Sequence, residues 1–272
     1  MILYDEEQNK PIKEKHSIST LQCVLFFLMG CFGFQLLGTL TNTIFIAALP
    51  EDYISSHAAL VSSFINAVVY VLLLAILLTM YYFFNKQDLK DKALGFKNTV
   101  NVSYAGRWFA YYLVCNFALN IIMTLIQLAV EKSTGIILGT SNNQSGINSM
   151  ISTNPIMVFF VVCIIGPVCE EITYRLGLFE ALRRVNVKLA FILAPVLFAL
   201  IHFDFEGVIS GISSGNNLVL YNELFNLPSY ILGGLILSYA YWKNLSINQS
   251  IYCHIFVNTL SFFSIVIQLL LQ

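Results

Sequence analysis

The chain has 272 residues, 57% of them hydrophobic and only 11% charged, with a mean hydropathy of +0.75. A soluble domain carries about 25% charged residues, so this composition excludes an ordinary water-soluble fold and indicates a polytopic membrane protein. A net charge of −1 with no basic run excludes nucleic acid as a partner.

Residues 1–19 are polar and of mixed charge, with Asp5, Glu6, Glu7, Lys10, Lys13 and Lys15. They lack the basic-then-apolar order of a signal peptide, so they are expected to form a cytoplasmic N-terminal segment ahead of a retained first span. Crossing the hydrocarbon core takes about 20 apolar residues. Seven runs qualify, at about 20–48, 59–84, 107–130, 155–182, 188–204, 224–242 and 248–271. The expected fold class is all-α: a transmembrane helical bundle of seven spans, or eight if the first run is a bent pair. No internal repeat is visible.

Lysine and arginine stay preferentially on the cytoplasmic side. Lys10, Lys13 and Lys15 precede the first span, and Lys86, Lys90, Lys92, Lys97 and Arg107 lie between the second and third. Arg183, Arg184 and Lys188 join the fourth to the fifth, and Lys243 follows the sixth. The alternate loops, at about 49–58, 131–154 and 205–223, carry only Lys132. Seven spans then put the N-terminus in the cytoplasm and the C-terminus outside the cell membrane. Tyr81, Tyr82, Phe83, Phe84, Tyr241 and Trp242 flank the cytoplasmic ends as interface anchors. The six cysteines (Cys23, Cys31, Cys115, Cys163, Cys169, Cys253) form no CxxC and read as small buried hydrophobes.

The informative residues are the ionisable ones inside spans. Glu170 and Glu171 sit in the fourth run with Arg175 one turn on; His202 ends the fifth, and His254 and Asn258 lie in the seventh. A charge at the bilayer centre costs at least ~2.5–3.5 kcal/mol, so such groups mark a cavity or a task. At 1.5 Å of rise per residue, Glu170 and His202 lie roughly 20 Å from the cytoplasmic ends of their helices, His254 roughly 16 Å and Asn258 roughly 22 Å. Three helices thus bring their odd polar residues to one depth. Glu171 and Arg175, at i and i+4, form a pair. Glu170 points to the face shared with Thr173 and Tyr174 and is left free as a general base. His254 and Asn258 also stand at i and i+4 and aim at one cavity. The plainer alternatives are a packing ion cluster on the fourth run, an interhelical strut at His202 and an interhelical clamp at His254 and Asn258. Asp204 and Glu206 read as solvated loop and Glu223 as interfacial. Asn42, Asn66, Asn116, Asn120 and Gln127 read as makers of interhelical hydrogen bonds.

The order Glu170-Glu171-x3-Arg175, Phe198-x3-His202, His254-x3-Asn258 resembles the three motifs of the CPBP family, the CAAX prenyl endopeptidases and bacteriocin-processing or self-immunity membrane proteases also called Abi. The resemblance runs from about residue 155 to 260 and includes the Gly233-Gly234 pair, where a neighbouring helix is expected to pack closely. Leu176 stands where the family usually has glycine, with Gly177 next. The resemblance implies a catalytic transmembrane core over 151–272, preceded by unassigned helices over 20–150. It implies peptide-bond hydrolysis within the membrane, on a peptide or membrane-protein substrate. Glu170 and His202 would activate water, His254 and Asn258 would stabilise the oxyanion, and Glu171 and Arg175 would support the geometry. Two histidines and a carboxylate suffice for zinc with one open position, which makes Glu170, His202 and His254 the candidate metal ligands. The compact HExxH motif is absent, and Asn258 is a poor zinc ligand. The expectation is therefore a glutamate–histidine mechanism that needs no cofactor, with zinc as the alternative. Competing functions are a proton-coupled transporter, which lacks the inverted repeat of that class, and a non-catalytic membrane scaffold or regulator of a signalling partner.

Overall fold

The computed structural model describes residues 18–84 and 102–271. Lys10, Lys13, Lys15, Lys86, Lys90, Lys92 and Lys97, on which the expected orientation largely rests, lie outside the described residues. Among those described there are ten helices and no strand. In chain order they are α1 (Thr20–Ala48), α2 (Glu51–Ser56), α3 (Ala58–Phe84), α4 (Val102–Thr134) and α5 (Asn142–Thr153). Then come α6 (Pro155–Val185), α7 (Val187–Leu200), α8 (Phe205–Ser213), α9 (Leu218–Asn244) and α10 (Ile247–Leu270). The all-α expectation holds.

Local chemistry sets the helix ends. Ser19 and Gln22 form a reciprocal cap at the start of α1, each side chain bonding the other's backbone N–H. Asn186 accepts from the Lys188 and Leu189 N–H groups and starts α7. Asp204 accepts from Gly207 N–H at 2.9 Å and starts α8. Leu245, with φ 49°, makes the left-handed turn that reverses the chain between α9 and α10.

The span count differs from the sequence expectation. Five helices (α1, α3, α4, α6, α10) are long and apolar enough to cross a membrane, or six if α7 and α8, bent by 62°, are one span. The first run is one continuous helix and not a bent pair. The expected sixth span is present as α9, a 27-residue helix with Asn222, Glu223 and Asn226 in its first turns. Those residues dilute the apolarity on which a count by composition depends.

Three stretches wind as π-helix: Met29–Gly33 in α1, and Phe159–Ile165 and Ile172–Phe179 in α6. The last packs on α1, where a Cβ on Gly177 would lie 2.8 Å from Phe27 N and 3.1 Å from its Cα. Only glycine lets the two backbones approach so closely. Gly234 does the same for α9 against α7: its Cβ would lie 3.0 Å from Pro195 Cα and 3.1 Å from a ring carbon of Phe198. The close packing expected at Gly233-Gly234 is therefore made against the helix leading to His202.

Three apolar clusters surround the polar centre. Phe26, Leu73, Leu77, Cys169 and Ile172 join α1, α3 and α6. Tyr174, Phe179, Ala194, Phe198 and Tyr241 join α6, α7 and α9, while Ile151, Val158, Cys163 and Phe262 join α5, α6 and α10. Tyr241 is buried, not an interface anchor, and donates to Glu180 Oε2 at 3.0 Å. Cys115 is exposed and Cys31 half-buried; the other four cysteines are buried as expected, and all six are free thiols.

Candidate active site

Glu171 points into the bundle with no exposed surface. Its Oε2 lies 3.2 Å from Arg175 Nε, and its Oε1 lies 2.9 Å from His254 Nδ1. A carboxylate held by arginine only accepts, so His254 donates through Nδ1–H and turns Nε2 the other way. Arg175 is equally buried, and its guanidinium carbon stands 4.6 Å above the Phe198 ring. Phe198, the first residue of the second motif, thus supplies a cation–π seat for the arginine of the first.

Glu170, the adjacent carboxylate, faces a cavity of about 480 Å³. Its Oε2 lies 3.7 Å from His254 Nε2 and its Oε1 accepts from the Tyr70 hydroxyl at 3.5 Å. His254 therefore sits between the two glutamates, with one ring nitrogen toward each.

His202 reaches the same cavity from the bend after α7, where His202 N–H closes a turn on Ala199 O at 3.1 Å. Its ring stacks on Tyr230 with centroids 4.5 Å apart, and its Nδ1 lies 3.5 Å from Asn143 Nδ2. Asn143 also donates to the Tyr230 hydroxyl at 3.2 Å. Asn258 lines the cavity from α10, and its amide donates to Val162 O at 2.9 Å. The structure thus brings Glu170, His202, His254 and Asn258 to one cavity, with Glu171 and Arg175 directly behind His254.

Several placements differ from the sequence expectation. Thr173 and Tyr174 do not join Glu170 at the cavity: Thr173 packs against Gly30 and Tyr174 meets Cys31 Sγ at 3.3 Å, both on α1. The chain winds as π-helix from Ile172, so an angular count at 3.6 residues per turn fails there. The stretch expected as a plain loop at 131–154 contains α5, whose Asn142, Asn143, Ile147 and Met150 line the cavity. Glu223 is buried at 2% exposure and not interfacial. It accepts from Asn142 N–H at 2.7 Å and Asp204 N–H at 3.2 Å. Asp204 in turn accepts from the Asn142 amide at 2.7 Å, so it ties α5 to α8 and is no free loop carboxylate. Asn66 bonds Met150 Sδ on α5 at 3.6 Å, an interhelical bond as expected, whereas Gln127 bonds Leu138 O in the segment between α4 and α5 at 3.0 Å, and Asn42 and Asn120 are exposed on the outside of their helices. Tyr70, Asn143 and Tyr230 are the site residues that sequence reasoning missed. Each is an ordinary residue type with no spacing signal.

Zinc would have to be held by Glu170, His202 and His254. Among the described residues no group of three or more His, Cys, Asp or Glu is placed to hold a metal ion. His202 stacks on Tyr230 and turns Nδ1 to Asn143 at 3.5 Å. The donor set does not fit a metal in this arrangement, and no step below is routed through one.

A helical bundle of apolar spans with a buried carboxylate–histidine centre defines a polytopic membrane protein with a polar site inside it. Residues 152–260 match the family described as type II CAAX prenyl endopeptidase, Rce1-like. The resemblance to the CPBP family read from the three motifs falls on this same matched segment. The chain is also 29% identical over 135 residues to UPF0177 protein YvdC of Lactococcus lactis, covering 49% of this chain and 43% of that one. An uncharacterized protein of Mycoplasma capricolum is 29% identical over 173 residues, 60% of this chain and 44% of the relative. UPF0177 protein YxdF of Lactococcus lactis is 24% identical over 152 residues, 56% and 72% of the respective chains. The matches thus span less than half the length of the first two relatives. No solved structure matches the chain.

Proposed function

We propose that this chain is an intramembrane endopeptidase that hydrolyses a peptide bond in a membrane-associated peptide or protein. The observation that carries this reading is the convergence of Glu170, His202, His254 and Asn258, from three separate parts of the chain, on one cavity between membrane helices. In this mechanism Glu170 takes a proton from a water that attacks the substrate carbonyl beside His202. The developing oxyanion receives a hydrogen bond from His254 Nε2–H, the imidazole in this step carrying a proton on both ring nitrogens while Glu171 aims it by accepting from Nδ1–H. Glu170 then returns its proton to the leaving amine as the C–N bond breaks, so the carboxylate acts first as base and then as acid. Arg175 holds Glu171 in place through the 3.2 Å contact with Oε2. The relatives named above are bacterial, which favours peptide maturation or self-immunity as the setting over processing of prenylated proteins.

The test uses the full chain in lipid nanodiscs with two probes: a farnesylated peptide ending in a Cys-aliphatic-aliphatic-X sequence, and unmodified membrane-inserting peptides. Products are read by mass spectrometry. Cleavage by the natural chain and none by Glu170→Ala is the expected result. Intact peptides with both proteins would instead direct attention to transport or to a scaffold role.

A further inference from the structure

The hydrogen bond from Asn258 to Val162 has a local cause. Where the π-helical stretch Phe159–Ile165 ends, the Gly166 N–H bonds Val161 O, the carbonyl five residues back. The next carbonyl, Val162 O, would take its bond from residue 167. That residue is proline, which has no N–H. Val162 O is therefore left without a main-chain donor, on the wall of the cavity that Asn258 also lines. The Asn258 amide fills the gap at 2.9 Å. Asn258 stands one turn beyond His254 on α10, and Pro167 stands one turn before Glu170 on α6. The bond thus pins together the two helices that carry the base and its histidine partner.

We infer that Asn258 is a positioning residue: it replaces the hydrogen-bond donor that Pro167 removes, and so holds the Glu170 helix in register with His254. The consequence for activity rests on the protease reading above; the consequence for the fold does not. If the inference holds, the loss of Asn258 is compensated by giving residue 167 an N–H.

The experiment compares the full-length natural chain, Asn258→Leu, Pro167→Ala and the double variant, each in nanodiscs. Thermal unfolding and cleavage of the probe peptides are both measured. Asn258→Leu is expected to lower Tm by about 3–8 °C, as for an unmet buried carbonyl, and to cut cleavage at least tenfold. Pro167→Ala in that background is expected to return more than half of the Tm loss. Should Asn258→Leu fail to accumulate, accumulation of the double variant is the expected result and its failure the contrary one. A Tm that Asn258→Leu leaves unchanged, or that Pro167→Ala does not restore, overturns the inference. If the natural chain cuts none of the probes, the protease reading fails and the Tm comparison alone decides the clamp.

Discussion

Glu170 and Glu171 are neighbours in sequence with opposite surroundings, and their substitutions should separate. Glu170 faces the cavity, with Tyr70 on one oxygen and His254 on the other. Glu170→Ala should leave insertion and accumulation intact while cleavage falls by about 10²–10⁴-fold, the usual cost of a positioned base. Glu171 is enclosed, and its removal strands Arg175 and frees His254 Nδ1. Glu171→Ala should therefore cost about 3–5 kcal/mol of stability, seen as lower yield and a lower Tm. A stable but inactive Glu171→Ala would exchange the roles of the two carboxylates. Metal dependence is decided at the same scale. A glutamate–histidine mechanism keeps its rate after exhaustive chelation and dialysis, whereas stoichiometric zinc whose removal abolishes cleavage would require Glu170 to serve as a ligand. These residues were legible in the sequence because a charge inside an apolar run has few innocent explanations. Tyr70, Asn143 and Tyr230 were not, because a tyrosine or asparagine in such a chain is expected at many positions for packing alone.

At the level of elements, the site depends on close helix contacts that only small residues allow. Gly177→Ala would set a Cβ against the backbone of Phe27, which cannot yield as a side-chain tip can. A loss of about 1–3 kcal/mol is expected from such overpacking. Gly106→Ala, with nothing within 4 Å of the new Cβ, is the matched control and should leave Tm unchanged. Unfolding in one detergent distinguishes the two; equal Tm values would show that α1 has slack against α6. The sequence made the helices of this bundle visible through their apolar length, but not their winding. A π-helical stretch follows from tertiary packing and from Pro167, and no residue pattern announces it, so the angular placement of Thr173 and Tyr174 failed just where it began. The α5 helix escaped notice for a related reason: Asn142–Thr153 is polar, and its role comes from lying across the cavity with Asn142 tied to Glu223 and Asp204.

For the whole molecule, the open quantity is how many helices cross the membrane. Five of the described helices are long and apolar enough to do so, or six if the bent α7–α8 pair is one span. We expect α9 to cross as well. Its 27 residues span about 40 Å, more than the ~30 Å core requires. The acidic group that lowers its apolarity is hidden from lipid, since Glu223 is 2% exposed and bonded to Asn142 and Asp204. A helix can carry a carboxylate into a bilayer when neighbouring helices satisfy it. Seven crossings put the two ends of the chain on opposite sides, with the lysine distribution placing the N-terminus inside. Single cysteines introduced in a background without the six natural ones, at Ser17 and at Leu271, test this with a membrane-impermeant maleimide on intact cells. Labelling of the Leu271 site alone is expected. Labelling of both sites or of neither would put the ends on one side, leaving an even number of crossings and requiring α9, or the α7–α8 pair, to re-enter on the side from which it came.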